Sequence, residues 1–138
     1  MNEEQIRSLL TKALQATEKS YAPYSRFCVG VALLAQNGEI FCGCNIENSA
    51  FSPSVCAERV AIFNAVSNGN KKFKAIAVVG GKNGNCDEFC PPCGVCRQTL
   101  AEFCDGDFLI ILGKRNLEYK VFTLEQLLPV AFEKNNLD

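Results

Sequence analysis

Two continuous apolar runs, Ala75-Ile76-Ala77-Val78-Val79 and Phe108-Leu109-Ile110-Ile111-Leu112, constrain the fold more than any other feature of the chain. A strand with one solvated face alternates apolar and polar side chains, so a run without alternation needs cover on both faces. Helices supply that cover. The two runs therefore predict inner strands of an α/β protein, the first ending at Gly80-Gly81. Ile6, Leu9, Leu10, Ala13, Leu14 and Thr17 recur at three-and-four spacing and predict an amphipathic helix from about Glu3 to Lys19. Tyr21-Ala22-Pro23-Tyr24-Ser25 breaks it, and the apolar stretches Phe27 to Ala35 and Ile40 to Cys44 flank Asn37-Gly38, a hairpin signal. The segment from Ala57 to Val66 is apolar except for Glu58, Arg59 and Asn64 and predicts a helix buried on most sides.

Lys82 to Cys90, rich in Asn, Gly and acids, reads as a surface loop, Gly94 to Cys104 as a short helix and Tyr119 to Phe122 as a further strand. Thr123 with Gln126 makes a capping box for a last helix that Pro129 keeps short, and a polar, mobile tail is expected after Phe132. This order of elements predicts a three-layer α/β/α sandwich around a mixed sheet of about five strands. With 138 residues and no repeat or linker, one domain spanning 1–138 is expected.

Composition excludes several functions. The net charge of −1 comes from interspersed charges of both signs, without the basic stripe that a phosphate backbone requires, so no nucleic-acid partner is expected. The acidic, polar start Met1-Asn2-Glu3-Glu4-Gln5 and the lack of a bilayer-length apolar stretch predict a cytoplasmic protein without a membrane partner. Nine cysteines in such a compartment point to metal ligands or buried thiols rather than disulfides. Histidine is absent, which removes the usual general base and the commonest metal ligand.

Cys56, Cys93 and Cys96 are the thiols with a pattern: two segments, the later pair in a C-x-x-C, supplying soft sulfur ligands to one Zn²⁺. Cys56 and Cys93 fall where helices are about to begin and Cys96 within a first turn, positions that favour thiolates. Three protein ligands leave the fourth tetrahedral position open to water, whose pKa falls toward about 7 in such sites. Glu58, not needed for binding, is then the general acid and base. Arg59 and Arg97 lie in first turns, where the helix dipole disfavours cations by about 0.3–1 kcal/mol. Donation to the sulfurs would compensate both, making the two arginines candidates for tuning the metal.

Other readings stay open at this point. Cys90 extends the later segment to C-x-x-C-x-x-C, so four thiolates could close an inert structural site or begin an iron–sulfur run. Cys28, Cys42, Cys44, Cys86 and Cys104 read as small buried or half-buried residues. Phe27 by default belongs to the core, and Asn45 with Glu47 could merely satisfy a turn.

Taken together, Tyr21-Ala22-Pro23-Tyr24-Ser25-Arg26-Phe27, Gly43-Cys44-Asn45-Ile46-Glu47-Asn48, Cys56-Ala57-Glu58-Arg59, Pro92-Cys93-Gly94-Val95-Cys96-Arg97-Gln98 and Leu127-Leu128-Pro129-Val130-Ala131-Phe132 resemble the small homotetrameric cytidine deaminases over almost the whole chain. The resemblance implies deamination of cytidine and deoxycytidine in pyrimidine salvage. One zinc per subunit, held by Cys56, Cys93 and Cys96, would activate the attacking hydroxide, and Glu58 would protonate N3 and then the departing amine. It further implies that Asn45 and Glu47 hold the ribose 3′-hydroxyl, that Phe27 stacks on the base, and that the Ala57 backbone contacts the pyrimidine edge. Phe132 would cover the substrate of a neighbouring subunit in a homotetramer. Three residues depart from the family's pattern: Ser49 where Ala is common, Phe51 where Tyr is common, and the extra thiol Cys90.

Overall fold

A computed structural model describes all residues, 1–138. Five strands form one mixed sheet in the order β2-β1-β3-β4-β5, with β1 Phe27–Ala35, β2 Ile40–Cys44, β3 Phe73–Lys82, β4 Leu109–Gly113 and β5 Tyr119–Thr123. β3 and β4 are parallel, and the other neighbouring pairs are antiparallel. The unalternating runs behave as their composition requires. Along β3, Ile76 and Val78 pack into one core cluster, while Ala75, Ala77 and Val79 pack into another on the opposite face. β4 divides in the same way, with Ile110 and Leu112 on one side and Ile111 on the other. Helix α1 (Glu3–Thr17) covers the face with the alanines, and α2 (Ala57–Ser67), α3 (Gly94–Phe103) and the single-turn α4 (Leu124–Leu127) cover the other. The result is the expected three-layer sandwich.

Helix α1 starts at a capping box: the Asn2 side chain accepts from Gln5 N at 2.8 Å, and Asn2 N donates to Gln5 Oε1 at 2.9 Å. It stops at Thr17 rather than Lys19 because its last turn tightens into i→i−3 bonds, Lys19 N to Ala16 O at 3.1 Å and Ser20 N to Thr17 O at 3.2 Å. The β1–β2 hairpin turns at Asn37-Gly38 with Gly38 at φ 92°. β3 continues through Gly80-Gly81, because β1 goes on pairing with it as far as Phe27 opposite Lys82.

Other expectations need correction. Helix α2 is not buried on most sides: Ala57, Glu58, Ala61, Ile62 and Ala65 are buried, whereas Phe63 is 51% exposed with Asn64 and Ser67 beside it. The sheet covers only one face of a helix in an outer layer, however apolar the rest. Cys42 is exposed, since β2 is an edge strand. The tail forms a 3₁₀ turn over Lys134–Leu137 with every residue exposed.

The topology also sets where a site can form. β1 runs antiparallel to both β2 and β3, so the start of β1 and the ends of β2 and β3 meet at one end of the sheet. Helix α2 is drawn close to that region at Gly43, where an added Cβ would lie 2.5 Å from Ala57 O and 2.7 Å from Ala61 N. Only glycine there lets the first turn of α2 rest on β2.

Candidate active site

Cys56 and Cys93 are the N-cap residues of α2 and α3, both with extended backbone, and neither side chain caps its helix. Their sulfurs are therefore free, at helix ends whose exposed N–H groups favour thiolate. Cys96, in the first turn of α3, is buried and completes the set. The sulfurs of Cys56, Cys93 and Cys96 all lie within 4.8 Å of one another, with Cys56 to Cys93 at 3.7 Å and Cys93 to Cys96 at 3.5 Å. Tetrahedral zinc with Zn–S bonds of about 2.3 Å needs sulfurs roughly 3.8 Å apart. The donor set and its spacing fit one zinc ion.

Electrostatics separate the three thiols. Hydrogen bonds from Cys96 and then from Arg59 hold the Cys56 thiol down to about 5, against the opposing effect of burial. Cys96, donating to Cys56 and buried, is pushed well up. Cys56 is therefore the sulfur at which the thiolate is most favoured. Arg59 Nη2 donates to Cys56 Sγ at 3.5 Å, as expected of a residue compensating thiolate charge, and Arg59 Nε is buried without a partner beside the cluster. Arg97 behaves differently from expectation. Its Nε donates to Pro92 O at 2.8 Å and its Nη1 to Leu127 O at 2.6 Å, and neither bond reaches a sulfur.

Glu58 is the one buried charged residue of the chain, 4% exposed. Burial first, and then the neighbouring Cys56 thiolate, push its carboxyl up to about 7 despite a hydrogen bond from its own backbone N–H. It lines a cavity of about 300 Å³ together with Cys56 and Cys93, so an acid and two of the thiols open onto one space. Cys90 lines the same cavity but is not part of the three-sulfur cluster. Its sulfur sits against Gly80, where an added Cβ would lie 3.0 Å away, and burial pushes its thiol up to about 12. This disfavours the closed four-thiolate reading.

The rest of the cavity is built by the sheet end. Phe27 and Val29 come from β1, Asn45 and Glu47 from the residues just past β2, and Ser54, Val55 and Pro91 from the approaches to the two helices. Phe27 is 39% exposed on the cavity wall rather than in the core. Asn45 accepts from Val29 N at 2.9 Å and from Ser20 Oγ, and donates through Nδ2 to Phe27 O at 2.7 Å. Glu47 Oε1 accepts from Tyr24 N at 2.9 Å and Ser25 N at 3.1 Å, while Oε2 accepts from Ser25 Oγ. The bond from Ser25 lowers the Glu47 carboxyl below its ordinary value. Both residues thus satisfy local backbone and face the cavity as well. Ser25 is the member that sequence reasoning passed over, although it stands within the Tyr21–Phe27 stretch. Its Oγ also accepts from Phe27 N at 3.0 Å, which joins the Glu47 carboxylate to the aromatic wall.

Two expected contributors stand apart. Ala57 is fully buried between Cys56 and Glu58, and Phe132 lies outside the cavity, 60% exposed, with its carbonyl held by Gln98 Nε2 at 2.8 Å. A larger depression of about 1090 Å³ opens at the other end of the sheet, around Lys72, Phe73, Asp107 and Leu109, away from the cluster of ligating side chains. No helix is long and apolar enough to cross a membrane.

Comparison with known proteins agrees with this geometry. A family model described as "Cytidine and deoxycytidylate deaminase zinc-binding region" matches residues 3–112. The cytidine deaminase of Sporosarcina psychrophila is 47% identical over 132 residues, covering 96% of this chain and 94% of that protein. The chain belongs to the cytidine deaminase family. The enzyme is accordingly a deaminase of the hydrolase class with zinc as its cofactor. Its fold matches the crystal structure of cytidine deaminase from Burkholderia pseudomallei with a TM-score of 0.84 at 39% identity, covering 96% of this chain and 100% of that one. A blasticidin-S deaminase from Bacillus cereus is also similar, 34% identical over 128 residues, 87% of this chain and 89% of that protein.

Proposed function

We propose that this deaminase converts cytidine and deoxycytidine, with water, to uridine and deoxyuridine plus ammonia, as a step of pyrimidine salvage in the cytoplasm. The observation that carries this reading is the placement of Glu58, a buried carboxyl the metal does not need, on the same cavity as the thiols of Cys56 and Cys93. Zinc, when bound by Cys56, Cys93 and Cys96, supplies Lewis acidity and lowers the pKa of a water molecule. Glu58 would take a proton from the attacking water and deliver it to N3 of the pyrimidine as the water oxygen bonds C4, and would then carry the proton of the new C4 hydroxyl to the amine, whose C4–N bond breaks to release ammonia. Burial, which raises the Glu58 carboxyl above its ordinary value, favours its protonated form between the two transfers. Arg59 offsets thiolate charge that would otherwise weaken the metal's pull.

The sugar is read by arithmetic of donors and acceptors. Asn45 Nδ2 has two N–H groups and spends one on Phe27 O. Glu47 accepts two bonds on Oε1 and one on Oε2. One donor and one acceptor position remain, and a single hydroxyl group matches that pair. The 3′-hydroxyl fits this role, and with no second pair left over, ribose and deoxyribose are both accepted. The same pair favours nucleosides over blasticidin S, which a direct comparison of the two substrates decides. Phe27 stacks on the base, the Ala57 backbone meets the pyrimidine edge, and Phe132 of each chain covers a neighbouring site in a homotetramer. Its exposure, and that of Phe51 at 71%, supports an aromatic role outside its own subunit.

The test is ammonia release by zinc-loaded protein from cytidine, deoxycytidine, cytosine and a cytidine nucleotide. Turnover of the first two is expected, and no ammonia from cytidine would overturn the proposal. Glu58→Gln is expected to keep its zinc and lose at least about 10²–10⁴-fold in rate.

A further inference from the structure

Arg97 occupies an unusual position in the chain's connectivity. It follows Cys96 directly, its Nε bonds the carbonyl of Pro92 immediately before Cys93, and its Nη1 bonds the carbonyl of Leu127 at the end of α4. The next residue, Gln98, bonds the carbonyl of Phe132. Two side-chain bonds reach from α3 to the stretch Leu127–Phe132, Arg97 to Leu127 O and Gln98 to Phe132 O, one on each side of the turn at Pro129-Val130. The segment includes Val130, fully exposed at φ 51°, a left-handed conformation that a β-branched residue holds only where its flanks are fixed.

We infer that Arg97 is a positioning residue that clamps the metal loop and the C-terminal segment to one another, and that its role is the fixed geometry of its fork rather than its charge. The planar guanidinium presents two N–H groups in a rigid arrangement that a single ammonium does not reproduce. Holding Pro92 O fixes the backbone from which Cys93 projects, and holding Leu127 O fixes where the chain leaves for Phe132. Ligand placement and placement of the C-terminal aromatic are thereby coupled through one side chain. Arg59 and Arg97, alike in sequence as first-turn arginines, divide the work: Arg59 addresses a sulfur and Arg97 addresses backbone.

The inference rests on Cys56, Cys93 and Cys96 as zinc ligands but not on the substrate, so its test uses no nucleoside. Zinc-loaded wild type, Arg97→Lys, Arg97→Met and Gln98→Ala are compared by the rate of zinc transfer to a chromogenic chelator and by the rate at which dilute proteinase K nicks the chain within residues 128–132, read by mass spectrometry. Arg97→Lys and Arg97→Met are both expected to release zinc roughly tenfold faster or more, with faster nicking in the segment. Gln98→Ala is expected to speed nicking alone. Wild-type behaviour of Arg97→Lys on both readouts would overturn the inference, because charge would then suffice. Fast zinc release with unchanged nicking would also overturn it, because the two segments would not be coupled. Should Arg97→Met fail to fold, Arg97→Lys, which keeps the stem and the charge, decides.

Discussion

Asn45 separates the two roles that one side chain plays at this site, and truncating it measures both. Asn45→Ala removes the acceptor of Ser20 Oγ, whose hydroxyl keeps the Asn45 carbonyl as a partner, and also the acceptor of Val29 N and the donor to Phe27 O, which leaves two backbone groups orphaned. Both orphaned groups lie where β1 enters the cavity and water reaches them in part, so each costs about 1 kcal/mol, toward the low end for an unsatisfied group. The total is about 2 kcal/mol. For a chain of 138 residues, unfolding entropy near the midpoint is about 0.3 kcal/mol per kelvin, so Tm falls by about 7 °C. Thermal unfolding at a fixed protein concentration reads this. The second role appears in kinetics, followed by the absorbance change on deamination. The preference for cytidine over 3′-deoxycytidine, as a ratio of kcat/KM values, is expected to drop by roughly tenfold, the worth of one hydrogen bond. A lowered Tm with an unchanged ratio would refute the sugar-reading argument and leave Asn45 as a turn residue. An unchanged Tm would refute the bonding that holds the start of β1.

Cys90→Ala is expected to leave the zinc content at one ion per chain and to cost about 1–2 kcal/mol for the lost packing against Gly80, checked by metal analysis and denaturant unfolding. Gly43→Ala is expected to lift the first turn of α2 off β2, costing about 1–3 kcal/mol and weakening zinc retention through the displaced Cys56; wild-type retention in a chelator titration would contradict this. Burial, aided by the charge of Asp105, pushes the Cys104 thiol up to about 12 from 9.0. The unfolded chain therefore loses this proton first, so Cys104 contributes stability that is present below pH 9.0 and falls as pH rises toward about 12. Cys104→Ala should flatten that part of the pH–stability curve, and iodoacetamide at pH about 8 should label exposed Cys42 well before Cys104.

Much of this was legible in the chain because it depends on local rules. The unalternating runs demand cover on both faces, and the positions of Cys56, Cys93 and Cys96 follow from where their helices start. What escaped the sequence depends on contacts between distant segments. Arg97 reads as a partner of thiolates because both lie in one helical turn, but its second acceptor, Leu127 O, is 30 residues away. Phe63 reads as core from composition and faces outward because the sheet covers one side of α2. Asn45 and Glu47 invited a choice between turn and ligand, and folding lets them be both: the bonds that close the turn also aim what is left over into the cavity. Cys90 could be assigned only by distance, since spacing alone makes it as good a ligand as Cys93.

The claim on which the chemistry rests is an open metal site, with three sulfurs from this chain and a fourth position free for the reaction. Zinc-edge X-ray absorption on the zinc-loaded protein tests it directly. The expected first shell is three sulfurs at about 2.3 Å and one lighter donor at about 2.0–2.2 Å. Four sulfurs would contradict it, because Cys90 or another thiol would then have closed the position that catalysis requires.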